Sequence, residues 1–210
     1  MFDYHAHIGR PTDNALVCTS KPGEEIQLSP FRHRSIGLLP PYTEGLERME
    51  EYAEMGYAVG EIGLDRRFGD REKQIEVFRT ALGIAVRHHS LVTIHCVGML
   101  DVMLSILREY RPERFIFHSF TSSPEIAHEI EKLGGYISIS PMSVKSRHFN
   151  DVIKSAGTFL IETDMPTGPE EERTLAALYA FLCRTLDREL VFPQFCKENR
   201  YFCKADSIFL

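Results

Sequence analysis

Near its start the chain reads Asp3-Tyr4-His5-Ala6-His7. On an extended strand alternate residues share a face, so His5 and His7 are expected to point one way and Tyr4 and Ala6 the other. Two imidazoles one strand repeat apart can share a metal ion. Further groups of the same chemistry follow where apolar runs give way to loops: Glu61 and Asp65 end AVGEIGLD, His95 ends LVTIH, His118 ends RFIFH and Asp164 ends FLIETD. One buried imidazole or carboxylate can be a satisfied core group, but each is costly unless paired or coordinated. Six of them, His5, His7, Glu61, His95, His118 and Asp164, at five equivalent strand ends point to one shared site. Such donors suit divalent metal ions drawn from Zn²⁺, Mn²⁺, Mg²⁺, Ni²⁺ or Fe²⁺, and a carboxylate can bridge two cations. Two cations roughly 3.5–4 Å apart clamp the attacking and leaving oxygens of a hydrolytic displacement.

The groups meet only if the elements bring them together. Apolar runs rich in β-branched and aromatic residues predict strands at Phe2–Ile8, Ala15–Thr19, Ser35–Leu39, Ala58–Gly63, Leu91–Cys96, Arg114–Ser119, Gly135–Ser140 and Thr158–Asp164. Helical periodicity predicts helices at Thr43–Met55, Arg71–His88, Met99–Tyr110, Pro124–Leu133, about Val144–Ser155 and Glu170–Leu186. Ser123-Pro124 reads as a helix start, and Gly56, Gly134 and Gly157 as reversals after helices. A last segment, Gln194–Cys203, carries a weaker helical cue.

Alternating strand and helix predicts a parallel sheet, and eight strands predict its closure into an α/β, (β/α)8 TIM barrel, with a site at the C-terminal strand ends. Gly9–Asn14 and Ser20–Arg34 cannot both hold full crossover helices, so the expectation is a compact variant with reduced or missing helices after the first two strands. Apolar barrel surface left bare there would suit a homo-oligomer. With 210 residues and no apparent linker, one domain over 1–210 is expected.

A net charge of −6 and pI near 5.9 argue against a basic nucleic-acid coat, though not against a nuclease whose cations supply positive charge. Five cysteines form no CxxC pair, which fits a reducing compartment. The start MFDYHAH has no leader pattern and no apolar run approaches the roughly 18 residues of a membrane span, so a cytoplasmic, non-membrane protein is expected. No GxGxxG or GxxxxGK[ST] loop occurs. Cys96 reads as packing, and His33, His88, His89 and His128 as surface or capping residues.

DxHxH at Asp3–His7, GEIGLD at Gly60–Asp65, IH at Ile94–His95, FHSF at Phe117–Phe120 and ETDMP at Glu162–Pro166 occur in an order that resembles the TatD family of metal-dependent deoxyribonucleases, within the amidohydrolase-like barrels. ENRYF at Glu198–Phe202 is similar to its C-terminal helix. The resemblance implies a dinuclear site: His5, His7 and Asp164 on one metal, His95 and His118 on the other, Glu61 bridging. It implies that Asp164 orients or deprotonates the attacking water, with DNA or a phosphorylated small molecule as substrate. Asp3, Asp65 and Glu162 share parity with neighbouring ligands and are read as groups that hold imidazoles or backbone in place.

The chain departs from the family pattern at Val97, where an arginine is usual, at GLLP (Gly37–Pro40) in place of GIHP, after His118, and at TGPEEER. Arg66 and Arg67 after GLD, and Lys145, Arg147 and His148 after the seventh strand, are candidate phosphate contacts that would compensate. Two other readings keep the same metal ligands: a hydrolase of phosphomonoesters, amides or esters, or a metal-binding barrel without turnover that serves as a binding protein.

Overall fold

In a computed structural model that describes residues 1–187, 189 and 190, eight strands run parallel and pair in chain order. They are β1 (Asp3–His7), β2 (Ala15–Cys18), β3 (His33–Leu38), β4 (Ala58–Asp65), β5 (Val92–Val97), β6 (Phe115–Phe117), β7 (Gly135–Ile139) and β8 (Phe159–Ile161). Six α-helices follow the last six strands: α1 (Leu46–Glu54), α2 (Arg71–Arg87), α3 (Leu100–Tyr110), α4 (Pro124–Lys132), α5 (Phe149–Ser155) and α6 (Pro169–Leu186). This is the (β/α)8 barrel, and the first two crossovers lack α-helices as expected. The segment Gln194–Cys203 and ENRYF lie outside the described residues.

The seam between β8 and β1 is closed by the chain just beyond β8. Asp164 N donates to His5 O (3.1 Å), His7 N to Met165 O (2.8 Å) and Thr167 N to His7 O (3.1 Å). The residues that carry the first three site groups therefore also close the barrel.

Two apolar clusters divide along the barrel wall. Tyr4, Leu16, Cys18, Leu91, Ile116 and Leu160, all in or beside strands, pack together in the interior. The larger cluster joins the outward strand residues to the helices; α2, for example, contributes Val77, Phe78, Ala81, Leu82 and Ala85. Its register is set at the start by Asp70, whose side chain accepts from Lys73 N (3.0 Å) and caps the helix.

Where helices are missing, the loop does their work. Ala6, Ala15 and Val17 are fully buried in the outer cluster. They share it with Leu28 and Phe31, from a segment whose only regular element is a 3-10 turn at Glu24–Gln27. The outer face of β1 and β2 is thus covered within the chain, and the argument for a partner subunit from bare barrel surface falls.

Several boundaries differ from expectation for local reasons. α1 starts at Leu46, three residues late, because Gly45 before it is left-handed (φ 106°). The expected helix at Val144–Ser155 is broken in two: a 3-10 turn at Ser143–Lys145, then α5. Ser146 is extended between them, its hydroxyl donating to Thr121 O (2.8 Å). Gly56 and Gly134 do reverse the chain at positive φ; Gly157 does not, as Ala156 leaves α5 in extended conformation.

Candidate metal centre

The six predicted groups converge on one site, but not all from strand ends. Glu61 and His95 are each the fourth residue of their strand, whereas His118 follows β6 directly and Asp164 lies three residues past β8. Simple alternation also fails in β1. Its register with β2 slips between Asp3 and Ala6. Ala6 accordingly packs outside, as expected, while Tyr4 packs in the interior cluster rather than opposite His5. The slip still leaves His5 and His7 both on the site, their ring centroids 5.1 Å apart. A similar shift between Val59 and Ile62 brackets Glu61.

Glu61 is the hub, with its two oxygens facing different partners. Oε1 stands 2.9 Å from His95 Nδ1 and 2.8 Å from His118 Nε2. Oε2 stands 3.5 Å from His5 Nε2 and 3.9 Å from His7 Nε2. Asp164 Oδ1 completes the second group, 3.6 Å from His5 Nε2 and 3.1 Å from His7 Nε2. Asp164 has a left-handed backbone (φ 59°) and the most open side chain of the six, 39% exposed, whereas His5 is fully buried.

These donors fit cations better than they fit each other. His5 Nδ1 and Nε2 are both buried without a hydrogen-bond partner, a costly arrangement unless something else binds there. His95 Nδ1, His118 Nε2 and Glu61 Oε1 form a triangle with edges of 3.1, 2.9 and 2.8 Å. Donors about 2.0–2.2 Å from a common centre and at right angles around it are about 3 Å apart. The potential ligand atoms of His5, His7 and Glu61, and those of Glu61, His95 and His118, lie within 4.8 Å of one another.

Charge is arranged to keep the carboxylates ionised. Burial pushes Glu61 up, but the imidazoles around it, His118 foremost, hold it well below the carboxylate range. Burial also pushes Asp164 up, and the hydrogen bond with His7 together with the charges of His118 and His5 outweighs it.

The three supporting carboxylates sit behind the site. Asp65 Oδ2 is 3.2 Å from His95 Nε2 and is gripped by Arg67, whose Nε and Nη2 reach it at 3.0 and 2.5 Å. Burial raises Asp65, but the Arg67 bonds and His95 bring it to about 2. Glu162 Oε1 lies 3.3 Å from His118 Nδ1 and accepts from Ser119 N (2.7 Å), while Oε2 accepts from Ser138 Oγ (2.6 Å). A carboxylate behind an imidazole fixes which ring nitrogen faces the site. Asp3 supports backbone instead, accepting from His5 N (3.1 Å), Thr163 N (3.2 Å) and Thr163 Oγ1 (2.5 Å).

Sequence reasoning passed over Thr163, Ser138 and Gln74. Gln74 is a buried amide on α2: its Oε1 accepts from Asp65 N (2.9 Å), and its Nε2 donates to Asp65 O, Phe68 O and Gly69 O, each at 3.1 Å. The one available signal was a polar residue on the apolar face of a helix, three positions before Val77.

The basic candidates lie on the segments that follow β4 and β7. Arg66 is exposed, with its stem laid across Gly98: a Cβ there would be 2.2 Å from Arg66 Cδ. Arg67 is 64% exposed but engaged by Asp65. Lys145 is exposed on the 3-10 turn after β7, and Arg147 donates from Nε to His148 Nε2 (3.0 Å). The remaining histidines stand elsewhere: His88 pairs with Glu50, His89 with Glu113, His128 bonds Pro124 O, and His33 packs edge-on against Phe2. Cys96 packs against the core, and burial pushes its thiol up to about 11. No helix among the described residues is long and apolar enough to cross a membrane.

The family model for TatD-related DNases matches residues 30–187. Human deoxyribonuclease TATDN3 is 29% identical over 154 residues, covering 69% of this chain and 56% of that protein. The chain thus spans about half the length of TATDN3, 52% of it in the mouse protein. The uncharacterized metal-dependent hydrolase YabD of Bacillus subtilis is 28% identical over 208 residues, covering 79% of this chain and 80% of YabD. The crystal structure of YjjV, a TatD homolog from Escherichia coli K12, matches with a TM-score of 0.76 at 24% identity, over 88% of this chain and 89% of that one. At that identity the likeness bears on the fold alone.

Proposed function

Because this chain belongs to the TatD-related DNase family, we propose that it hydrolyses phosphodiester bonds with a pair of divalent cations, with DNA as the leading substrate and a phosphorylated small molecule as the alternative. The activity is assigned to one barrel domain, residues 1–210, working in a reducing cytoplasm; Cys18, Cys96 and Cys183 are free thiols. The observation that carries the reading is the division of labour at Glu61, whose Oε1 faces His95 and His118 while Oε2 faces His5 and His7. A carboxylate set this way spans two positions. His5, His7 and Asp164 would hold an ion at one and His95 and His118 an ion at the other, drawn from Zn²⁺, Mn²⁺, Mg²⁺, Ni²⁺ or Fe²⁺. When bound, the ions supply Lewis-acid polarisation of a phosphoryl oxygen and offset its negative charge.

The chain's own groups do the rest. Asp164, ionised and the most open of the six, orients the attacking water and takes its proton as the new oxygen–phosphorus bond forms. The leaving oxygen departs toward the open mouth, where solvent returns a proton to it. Arg66, held over Gly98 beside the end of β5, takes the charge of a phosphate oxygen. Lys145, exposed after β7, reaches a neighbouring phosphate, and Arg67 holds Asp65 and through it His95.

The test is metal content by elemental analysis, paired with hydrolysis of bis-p-nitrophenyl phosphate and a short DNA strand before and after chelation. Near two ions per chain and chelator-sensitive cleavage are expected. Asp164→Asn should lower kcat by about 10²–10⁴-fold, the usual contribution of a general base. Bound metal with no hydrolysis of any phosphodiester, phosphomonoester or ester would instead favour a binding protein.

A further inference from the structure

The turn after β6 carries a hydroxyl whose direction follows from its partners. Ser119 comes directly after His118 and has a left-handed backbone (φ 49°). Its N–H donates to Glu162 Oε1 (2.7 Å), the oxygen that also backs His118 Nδ1. The residue is thus fixed beside the metal centre through its backbone, and its side chain is left for other work. That side chain meets Ser140, the residue after β7, with the two Oγ atoms 2.7 Å apart. Ser138, two residues earlier, turns into the barrel to donate to Glu162 Oε2 (2.6 Å). By strand alternation Ser140 faces the same interior, one level nearer the C-terminal face. The Ser119 hydroxyl bonded to it therefore lies at the level of the centre.

Counting lone pairs orients the bond. A hydroxyl has two acceptor sites and one hydrogen. Ser140 Oγ accepts from Met142 N (3.1 Å) and Ser143 N (3.3 Å), which takes both sites. Its hydrogen must go to a neighbouring oxygen, and two hydroxyls are near: Ser119 Oγ at 2.7 Å and Ser143 Oγ at 3.4 Å. Only the first is within ordinary O–H···O range. Ser119 Oγ accordingly accepts from Ser140, and its own hydrogen has no acceptor among the described residues. Ser140 is buried whereas Ser119 is half-buried, so that hydrogen is turned to the open side of the turn.

We propose that Ser119 is a further substrate-binding residue, which donates its hydroxyl hydrogen to a non-bridging phosphoryl oxygen on the His118 side of the centre. The inference rests on the phosphodiesterase reading above and adds to it a neutral donor between the ligands and the basic loops. Because Ser140 fixes the hydroxyl before substrate arrives, the bond forms with little further ordering. A hydrogen bond to an ionised oxygen is also stronger than the one Ser119 could make to water or a neutral group.

The test compares Ser119→Ala, Ser119→Gly and Ser119→Cys in the Mn²⁺-loaded protein by hydrolysis of bis-p-nitrophenyl phosphate. Alanine and glycine delete the hydroxyl and keep the N–H on Glu162; glycine also relieves the positive φ. Each should lower kcat/KM by about ten- to a hundredfold, the range for one hydrogen bond to a charged group. Cysteine, a weaker donor of similar shape, should fall between them and the wild type. Zn²⁺ affinity, read by chelator competition, should hold within about twofold, and Tm of the chelated protein within about 4 °C, as loss of one neutral hydrogen bond predicts. Unchanged kcat/KM without the hydroxyl, a loss matched by a fall in Zn²⁺ affinity, or a cysteine variant as active as wild type would each overturn the assignment. Calorimetric titration of inorganic phosphate into the same proteins separates it from the phosphodiesterase reading. In a protein that hydrolyses no phosphodiester, phosphate binding weakened by loss of the hydroxyl would uphold Ser119 as an anion contact and sink the catalytic reading. Phosphate binding indifferent to the hydroxyl in such a protein would overturn both.

Discussion

Replacing Glu162 by glutamine separates a structural role from a metal-tuning one. Glu162 is fully buried and serves three groups: Ser119 N, Ser138 Oγ and His118 Nδ1. Glutamine has nearly the same shape. Its carbonyl oxygen can keep the Ser119 bond, and the Ser138 hydroxyl can rotate to accept from the new amide. Two bonds to a charged acceptor thereby become neutral ones, a loss of about 1 kcal/mol each. For a chain of this size about 2 kcal/mol corresponds to a Tm lower by roughly 4–8 °C.

The effect on the site is of a different kind. His118 Nδ1 would face an amide in place of a carboxylate, making the ring a weaker donor through Nε2, the nitrogen turned to Glu61. Loss of such a partner costs about 10–100-fold in metal affinity. Zn²⁺ affinity is read by competition with a chromophoric chelator, and Tm by scanning fluorimetry of the chelated protein. Ser138→Ala is the control: it removes one bond to Glu162 without touching His118, so Tm should fall and affinity hold. A Glu162→Gln protein with lowered Tm and unchanged affinity would refute the coupling and leave Glu162 as a brace for the β6–β8 connections.

Gln74→Leu should destabilise the chelated protein by about 2–4 kcal/mol in urea titration, since it strands the Asp65 N–H and three carbonyl oxygens; an unchanged midpoint would discount the clamp. Removing the cations should lower Tm, by the equivalent of about 2.7 kcal/mol when the metal had been held at a hundred times its Kd, while far-ultraviolet circular dichroism stays that of the barrel. Metal affinity should fall as pH drops through and below neutrality. Burial lowers His7 and His118, but Asp164 and Glu61 for His7, and Glu61 and Glu162 for His118, outweigh it and raise both above the ordinary imidazole value. Protons therefore compete for these rings in the cation-free protein, and binding should release them, which calorimetry in buffers of different ionisation enthalpy detects.

The six candidate ligands were legible because each breaks an apolar run with a side chain that a core rejects, and because parallel strands bring such breaks together whatever their exact register. That tolerance mattered. Alternation misassigned Tyr4, since the register slip in β1 is a backbone feature without a residue type to announce it. Asp65 and Glu162 were found by parity with their ligands. Asp3 was found by the same argument and is the one of the three that holds backbone, bracing Thr163 and the His5 N–H. Ser138 and Thr163 were beyond reach, and Gln74 offered only a polar residue on an apolar helix face. Hydroxyls and amides are common and uncharged, and the partners that give these three meaning, apart from those of Gln74, lie 24 to 160 residues away.

The two halves of the centre differ in what holds them. His95 and Glu61 stand on adjacent strands of the continuous β4–β5–β6 run, with His118 one residue beyond it, so that half is built on the strands themselves, with one register slip around Glu61. His5, His7 and Asp164 stand at the seam, where β8 has ended and only loop backbone reaches β1. Asp164 N on His5 O and His7 N on Met165 O are at once barrel closure and site geometry. Anything that binds His5, His7 and Asp164 together also ties the two edges of the sheet, and anything that opens the seam separates those ligands. Hydrogen exchange at the Asp164 and His7 amides should therefore slow on metal loading, while exchange at Ile94 and His95 changes little. Equal slowing in both halves would mean that the seam is as rigid as the ladders without the cation, and that closure and coordination are independent.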